Sequence, residues 1–360
     1  MQTLILAYIF YIVLAVLLFG VLILVHEFGH FFTAKLSGVQ VNEFSLFMGP
    51  AIWKKQRGET LYALRCIPIG GYCAMEGEDG DSDNPRAFTN AKVWKRLIIL
   101  AAGSLMNFLT GLLITALIIT FAYEAIPGRT VVGIQPGRPF DSAQGLQVGD
   151  EIISIDGEHV YIQGDITMLL DRDTDGKHDL TVVRNGEKVE LPGVPMACDY
   201  TDANGRLLYG FSTNIEERSF GGILSYTWNQ CMDFVRLVRL GLGDLFTGRA
   251  SIKDMSGPVG IGSVVVETGV QSESVGIGVL NVLNLFAFIA INLAVMNLLP
   301  IPALDGGRIV CLLVTAVIEK ILRRKINPKY EGYLHASFMI LLLAFIAFIT
   351  FKDVFQIIGG

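Results

Sequence analysis

His26 and His30 stand four residues apart with Glu27 beside the first, in the run Val25-His26-Glu27-Phe28-Gly29-His30. On a helix, positions i and i+4 share a face, so both imidazoles can reach one zinc ion and the glutamate can serve as general base. The surroundings sharpen that chemistry. The motif closes an uncharged apolar stretch from Leu4 through Leu24, and ionisable groups in a membrane-length helix are costly enough to mark function. A catalytic zinc takes three protein ligands and keeps one position open, so a third ligand must come from elsewhere. Asp305 is the candidate. It lies in Asn297-Leu298-Leu299-Pro300-Ile301-Pro302-Ala303-Leu304-Asp305-Gly306-Gly307-Arg308, where two prolines and then two glycines open an apolar segment at the carboxylate. Alone, Asp305 reads equally well as the N-cap of the helix that follows; the HExxH motif favours the ligand.

These residues need a membrane scaffold to hold them. Of 360 residues, 52% are hydrophobic and 17% charged, against about a quarter charged in soluble domains. Four stretches reach the roughly 20 apolar residues a span requires: Leu4 to Lys35, Leu97 to Ala122, Val279 to Leu299 and Leu334 to Phe351. Ile309 to Ile318 reads as the continuation of a broken helix beyond the third. The first stretch has no basic leader and no small-residue cleavage site ahead of His26, so it is expected to be a retained span. Basic residues gather between spans one and two (Lys54, Lys55, Arg57, Arg65, Arg86, Lys92, Lys95, Arg96) and between spans three and four (Arg323, Arg324, Lys325, Lys329). By the positive-inside rule both loops are cytoplasmic. The stretch from Ile126 to Glu217, with Asp141, Asp150, Glu151, Asp156, Asp171, Asp173 and Asp175, then faces outward. A net charge of -6 and the lack of basic, aromatic-interleaved patches argue against nucleic acid. Five cysteines, Cys66, Cys73, Cys198, Cys231 and Cys311, are odd in number and form no CxxC, so no disulfide framework is expected.

From Thr130 to Thr213 short alternating β-branched runs are punctuated by Asp156-Gly157 and Asn185-Gly186 turns, the pattern of a small β-rich domain inserted between spans two and three. Its runs Gly137-Arg138-Pro139-Phe140-Asp141-Ser142-Ala143 and Gly145-Leu146-Gln147-Val148-Gly149-Asp150-Glu151-Ile152-Ile153, then Ile155-Asp156-Gly157, resemble a PDZ domain. Such domains bind extended peptides by adding a strand to a sheet edge. Phe220 to Phe246 has helical apolar spacing at Phe234, Leu237, Val238 and Leu245, and reads equally as a helix on the outer membrane surface or one packed on the β-rich domain. Ile67-Pro68-Ile69-Gly70-Gly71-Tyr72-Cys73-Ala74-Met75 is apolar, broken by glycine and too short to cross. It is expected to form a re-entrant β-loop beside the site, whose edge could hold a substrate as a strand.

The order HExxH, PDZ-like domain, NxxPxPxLDG resembles the site-2 protease family, the zinc metalloproteases of regulated intramembrane proteolysis, and in particular its bacterial RseP-type group, over essentially the full length. The resemblance implies an α-helical multi-pass membrane protein with four transmembrane segments and a re-entrant β-loop, carrying an inserted extracytoplasmic β-rich PDZ domain. Residues 1–125 would form the first membrane half, 126–217 the PDZ-like domain, 218–278 an amphipathic helix and connector, and 279–360 the second membrane half. It implies Zn2+ held by His26, His30 and Asp305, Glu27 as catalytic base, and substrate contacts from Asn297, Pro302, Gly70, Gly71 and Tyr72. The expected substrates are single-pass membrane proteins, such as anti-sigma factors or signal-peptide remnants, after a first extracytoplasmic cut, and the expected location is a bacterial plasma membrane. Phe47-Met48-Gly49-Pro50 and Gly103-Ser104-Leu105-Met106-Asn107 depart from the family's Gly-Phe-Gly-Pro and Gly-Pro-x-x-Asn patterns, and a single PDZ-like domain is evident. Two other classes stand beside this one. A metal-bearing scaffold would not need Glu27 beside the metal, and a metal transporter would more naturally show repeated hydrophobic segments.

Overall fold

The computed structural model describes residues 2–359 other than 79, 81, 143–144, 173–175, 197–199, 202–206, 252–254 and 324–328. Ala143, Asp173, Asp175, Cys198, Arg324 and Lys325, named above, lie outside the described residues. The elements run α1 (Gln2–Ser37), β1 (Val41–Arg57), β2 (Thr60–Met75), α2 (Val93–Ala122), β3 (Ile126–Ile134), β4 (Glu151–Ile155), β5 (Glu158–His159), α3 (Gln163–Leu170), β6 (Lys177–Arg184), β7 (Glu187–Pro195), β8 (Tyr200–Thr201), β9 (Leu207–Leu208), β10 (Phe211–Glu216), α4 (Phe220–Thr247), α5 (Pro258–Val270), α6 (Val275–Asn297), α7 (Asp305–Leu322) and α8 (Lys329–Gly359). They divide into two compact units, one of Met1–Ile114 with Val238–Gly360, the other of Thr115–Leu237.

Leu4–Ser37, Val93–Ala122, Val275–Asn297 and Gly332–Gln356 are long and apolar enough to cross a membrane. Their outer faces carry bare Leu6, Leu113 and Ile340, a surface that suits lipid and not water. Tyr11 of α1 is buried where Gly269 of α5 and Gly278 of α6 leave room for its ring, and around it Leu22, Val265, Val282 and Phe286 close the core. At the far end of α8, buried Asp353 accepts the backbone N–H groups of Gly257 and Gly260, both at 2.8 Å. That caps α5, which begins at Pro258, and satisfies a carboxylate in apolar surroundings. The helix α5 has no counterpart in the sequence reading, because its 13 residues are too few for a span.

β1 and β2 fold back on each other beyond the expected loop at 67–75. Glu43 to Leu46 has partners on both sides, Leu61 to Leu64 on one and Gly71 to Ala74 on the other, while Trp53 to Arg57 pairs outside the 60–64 stretch. The result is one sheet of four short stretches, with 71–75 at one edge and 51–57 at the other. Left-handed Phe47, Gly49 and Gly70 make the reversals, which glycine allows cheaply. The sheet lies along the C-terminal half of α1. Glu59, at the turn, binds Lys35 at 2.6 Å, and the Phe47 ring packs where Gly20 lacks a Cβ, about 3.3 Å away.

The second unit is built on the strand order β10-β3-β4-β6-β7, with β5 paired to β4 and β8 paired to β9 apart from it. Asn185-Gly186 and Asp156-Gly157 both have positive φ, as two-residue hairpin turns require. The Gly149-Asp150 pair also has a physical reason. Gly149 takes φ +98, and fully buried Asp150 is held by Arg184 at 2.7 Å and by the Gln147 N–H at 2.8 Å. Val131, Phe140, Leu146, Ile152 and Val182 form the core. The short helix α3 was not foreseen. In α4, Cys231, Phe234 and Arg236 are buried, and Arg236 donates to His159 O at 2.5 Å and pairs with Asp165 at 2.9 Å. Phe220, Leu224 and Trp228 stay exposed. The helix packs on the β-rich unit through one face and leaves an apolar face bare.

Candidate metal centre

The HExxH stretch lies in the last three turns of α1, and the Asp305 carboxylate begins α7 after the break at Leu298 to Leu304. Their donor atoms converge. His26 Nε2 and His30 Nε2 are 3.2 Å apart, and Asp305 Oδ2 is 3.3 Å from the first and 3.4 Å from the second. A tetrahedral zinc with bonds of about 2.0–2.1 Å has donor-to-donor edges of about 3.3–3.4 Å. The three atoms therefore form one face of such a tetrahedron and leave its fourth corner open. Asp305 Oδ2 is buried with no hydrogen-bond partner, a state that costs free energy unless a cation satisfies it. Among the described residues this is the one trio of metal-binding side chains so placed. Asp305 is not the N-cap of α7; Leu304 holds that position without a side-chain bond.

Each donor is held from behind. His30 Nδ1 donates to Ile99 O at 2.8 Å, which fixes the tautomer and turns the Nε2 lone pair to the triangle. His26 Nδ1 lies 3.4 Å from the buried Asn107 amide, at Nδ2. With Nε2 of His26 a ligand, Nδ1 carries the proton and needs an acceptor. Turning the amide over supplies Oδ1, which is otherwise buried and unpartnered. Helices α1 and α2 can meet here because Gly29 packs on Ala102 O, while a Cβ at Gly103 would collide with the His30 and His26 rings. Asp305 is placed by the fold of the break. Cβ atoms at Gly306 and Gly307 would run into the carbonyls of Leu298, Leu299 and Ile301, so only glycine lets the loop lie on the first turn of α7. Arg308 pairs with Glu78 just past β2.

The β-sheet meets α1 at Glu27. Gly71 sits against Ile23 and against the Glu27 side chain, where an added Cβ would come within 3.2 Å of Cγ, and the Cys73 backbone N–H faces the Glu27 carboxylate. On a strand, the backbone groups of residues 71, 73 and 75 point to one edge. That edge has no strand partner among the described residues, and it faces the glutamate. Gly70 makes the preceding reversal at φ +65. Tyr72 is turned away from that edge, its hydroxyl donating to Glu43 at 2.7 Å beside Arg65 and its backbone paired inward opposite Ser45. Asn297 ends α6, half-buried and with no side-chain partner among the described residues. Pro302 lies in the break, where its carbonyl accepts from His335. Asn107, Gly103 and Cys73 are the site neighbours that sequence reasoning passed over as functional. A buried asparagine within an apolar span was the available signal.

Residues 5–345 match Peptidase family M50. A protein of Fusobacterium nucleatum is 36% identical over 96% of this chain and 98% of its own length. Relatives from Clostridium acetobutylicum and Clostridium perfringens are 35% and 33% identical, each over 96% of this chain and 97% or 98% of theirs. All three are named zinc metalloproteases, and zinc fits the two-imidazole, one-carboxylate donor set found here. The chain thus belongs to Peptidase family M50, the site-2 proteases, and is a multi-pass membrane zinc metalloprotease.

Proposed function

We propose that His26, His30 and Asp305 hold the zinc, that Glu27 is the general base, and that the enzyme cuts transmembrane segments of single-pass proteins. The observation that carries this reading is the donor triangle with edges of 3.2, 3.3 and 3.4 Å beside Glu27, inside a helix long enough to span. Zinc bound there supplies Lewis-acid polarisation of the scissile carbonyl and a more acidic water. Glu27 takes the proton of the attacking water and returns it to the leaving amine nitrogen. A transmembrane helix hides its peptide bonds within its own hydrogen bonds, so the substrate must unwind to be cut. The 71–75 edge offers replacement backbone partners, and a substrate strand added there runs past Glu27. The Asn297 amide, uncommitted at the end of α6, can take up a further backbone group or the developing oxyanion.

Three observations support the re-entrant reading of β1 and β2. The sheet accompanies α1 from Lys35 back to Gly20, the span covers Leu4–Ser37, and its side chains at Met48, Ile52 and Ile67 are apolar and bare. The β-rich unit reads as a PDZ domain. Gln163, Ile166 and Thr167 of α3 and Phe211 to Ile215 of edge strand β10 line a groove of about 1360 Å³, larger than a typical small-molecule pocket and open to an added peptide strand. The relatives are bacterial, which supports a bacterial plasma membrane, and the basic loops support an outward-facing β-rich unit. There it would gate substrates by size, admitting membrane stubs left by a first protease, such as trimmed anti-sigma factors or signal-peptide remnants.

The test is Glu27→Gln in purified, lipid-reconstituted protein. The expected result is one zinc per chain and cleavage of a single-span substrate reduced by about 10²–10⁴-fold. Zinc retained with normal cleavage would overturn the role of Glu27, and zinc unaffected by Asp305→Ala would overturn the ligand set.

A further inference from the structure

The outer edge of the β1 and β2 sheet carries charge that nothing among the described residues answers. Residues 51–58 are exposed without interruption. Neighbouring cations are committed: Lys35 and Arg86 bind Glu59, each at 2.6 Å, Arg65 binds Glu43 at 2.6 Å, and Lys95 donates to Ser37 O at 2.8 Å. Lys54, Lys55 and Arg57 have no ion-pair or hydrogen-bond partner among the described residues. Side chains alternate along a strand, so Trp53, Lys55 and Arg57 share one face while Ile52 and Lys54 share the other. Trp53 is 52% exposed and Ile52 is 69% exposed.

The strand also has a direction. Its apolar start follows Met48 and Gly49, near the Phe47 that packs on Gly20, and its cationic end adjoins Glu59, bound to Lys35 in the last turn of α1. The start of α2, with Trp94 exposed, is tied to the same end of α1 by Lys95. Tryptophan and then cations, in that order toward the end of a span, is the sequence met on leaving a bilayer.

We propose that strand 51–57 is a binding arm for anionic phospholipid headgroups of the leaflet where α1 ends. Trp53 anchors at the glycerol level, and Lys55 and Arg57, about 7 Å apart on one face, take the phosphate between them. The arm fixes the depth of the sheet whose opposite edge meets Glu27. A protein partner with an acidic tail is disfavoured by the exposed Ile52 and Trp53, which belong in acyl chains. The proposal rests on the re-entrant placement of the sheet.

The full chain carrying W94F and W228F retains Trp53 as its sole tryptophan. In nanodiscs, its fluorescence is quenched by lipids brominated on the acyl chain, either phosphatidylglycerol or phosphatidylcholine at equal mole fraction. The expected result is severalfold stronger quenching by phosphatidylglycerol, because surface cations concentrate anionic lipid around them, and this preference is abolished by K54Q/K55Q/R57Q. Equal quenching by both lipids, or a preference that survives the triple substitution, would overturn the headgroup site. Equal quenching with a spectral shift only on adding an acidic single-span substrate would assign the arm to a protein partner instead. Quenching by neither lipid would overturn the re-entrant placement as well.

Discussion

Asn107 stands behind His26 as Ile99 O stands behind His30, and groups of this kind set the affinity of a metal ligand rather than its identity. Asn107→Leu should therefore weaken zinc binding by about 10–100-fold, measured by competition with a chromophoric chelator, while cleavage returns at saturating zinc. An unchanged affinity would show that the asparagine merely packs. Gly103 works by absence: Gly103→Ala places a methyl in the His30 ring, and the zinc content of the purified variant should fall. The converging donors of His26 and His30 were legible in the sequence because HExxH fixes its own geometry through helical spacing. Asp305 was legible as a break in a span. Asn107 was not, since its role depends on how α2 crosses α1, and no local pattern encodes a crossing.

Between residue and fold, the strand edge 71–75 is where substrate recognition is expected. Gly71→Val would push a branched side chain into Ile23 and Glu27, so cleavage should fall steeply while zinc content stays at one per chain; normal cleavage would contradict edge binding. The helix α4 offers a pH test. Burial, with Asp165 close by, pushes the Asp233 carboxyl up to about 7, although Arg236 opposes this. A carboxyl whose folded pKa exceeds its unfolded value stabilises the fold when protonated, and that contribution fades as pH rises from about 4 through 7. After correction for intrinsic rates, amide exchange in residues 220–237 should be slower at pH 6 than at pH 8, and Asp233→Asn should remove the difference. Faster exchange at pH 6 would contradict it. Spans α1, α2, α6 and α8 were legible from apolar length alone, as were the Asn185-Gly186 and Asp156-Gly157 turns from their composition. The long hairpin was read only in its glycine-broken part, because its other stretches are mixed in polarity and gain partners from residues far along the chain. Likewise α3 and α5 are short and take their stability from packing rather than from a pattern of their own.

At the scale of the whole molecule, a candidate metal centre on a membrane-length helix and a β-rich insertion of a different character share one chain. If the insertion gates by size, deleting Thr130 to Thr213 should let substrates with intact external domains be cleaved, as read by the appearance of the short product without a first protease. Unaltered discrimination would remove the gate and leave the metal centre untouched. Glu27 and its metal centre are proposed to act on peptide bonds inside the bilayer. Mass-spectrometric mapping of products from a single-span substrate co-reconstituted in nanodiscs tests it directly. Cuts within the apolar segment that vanish with Glu27→Gln are expected; cuts confined to the flanking soluble residues, or cuts that persist in that variant, would rule intramembrane cleavage by this centre out.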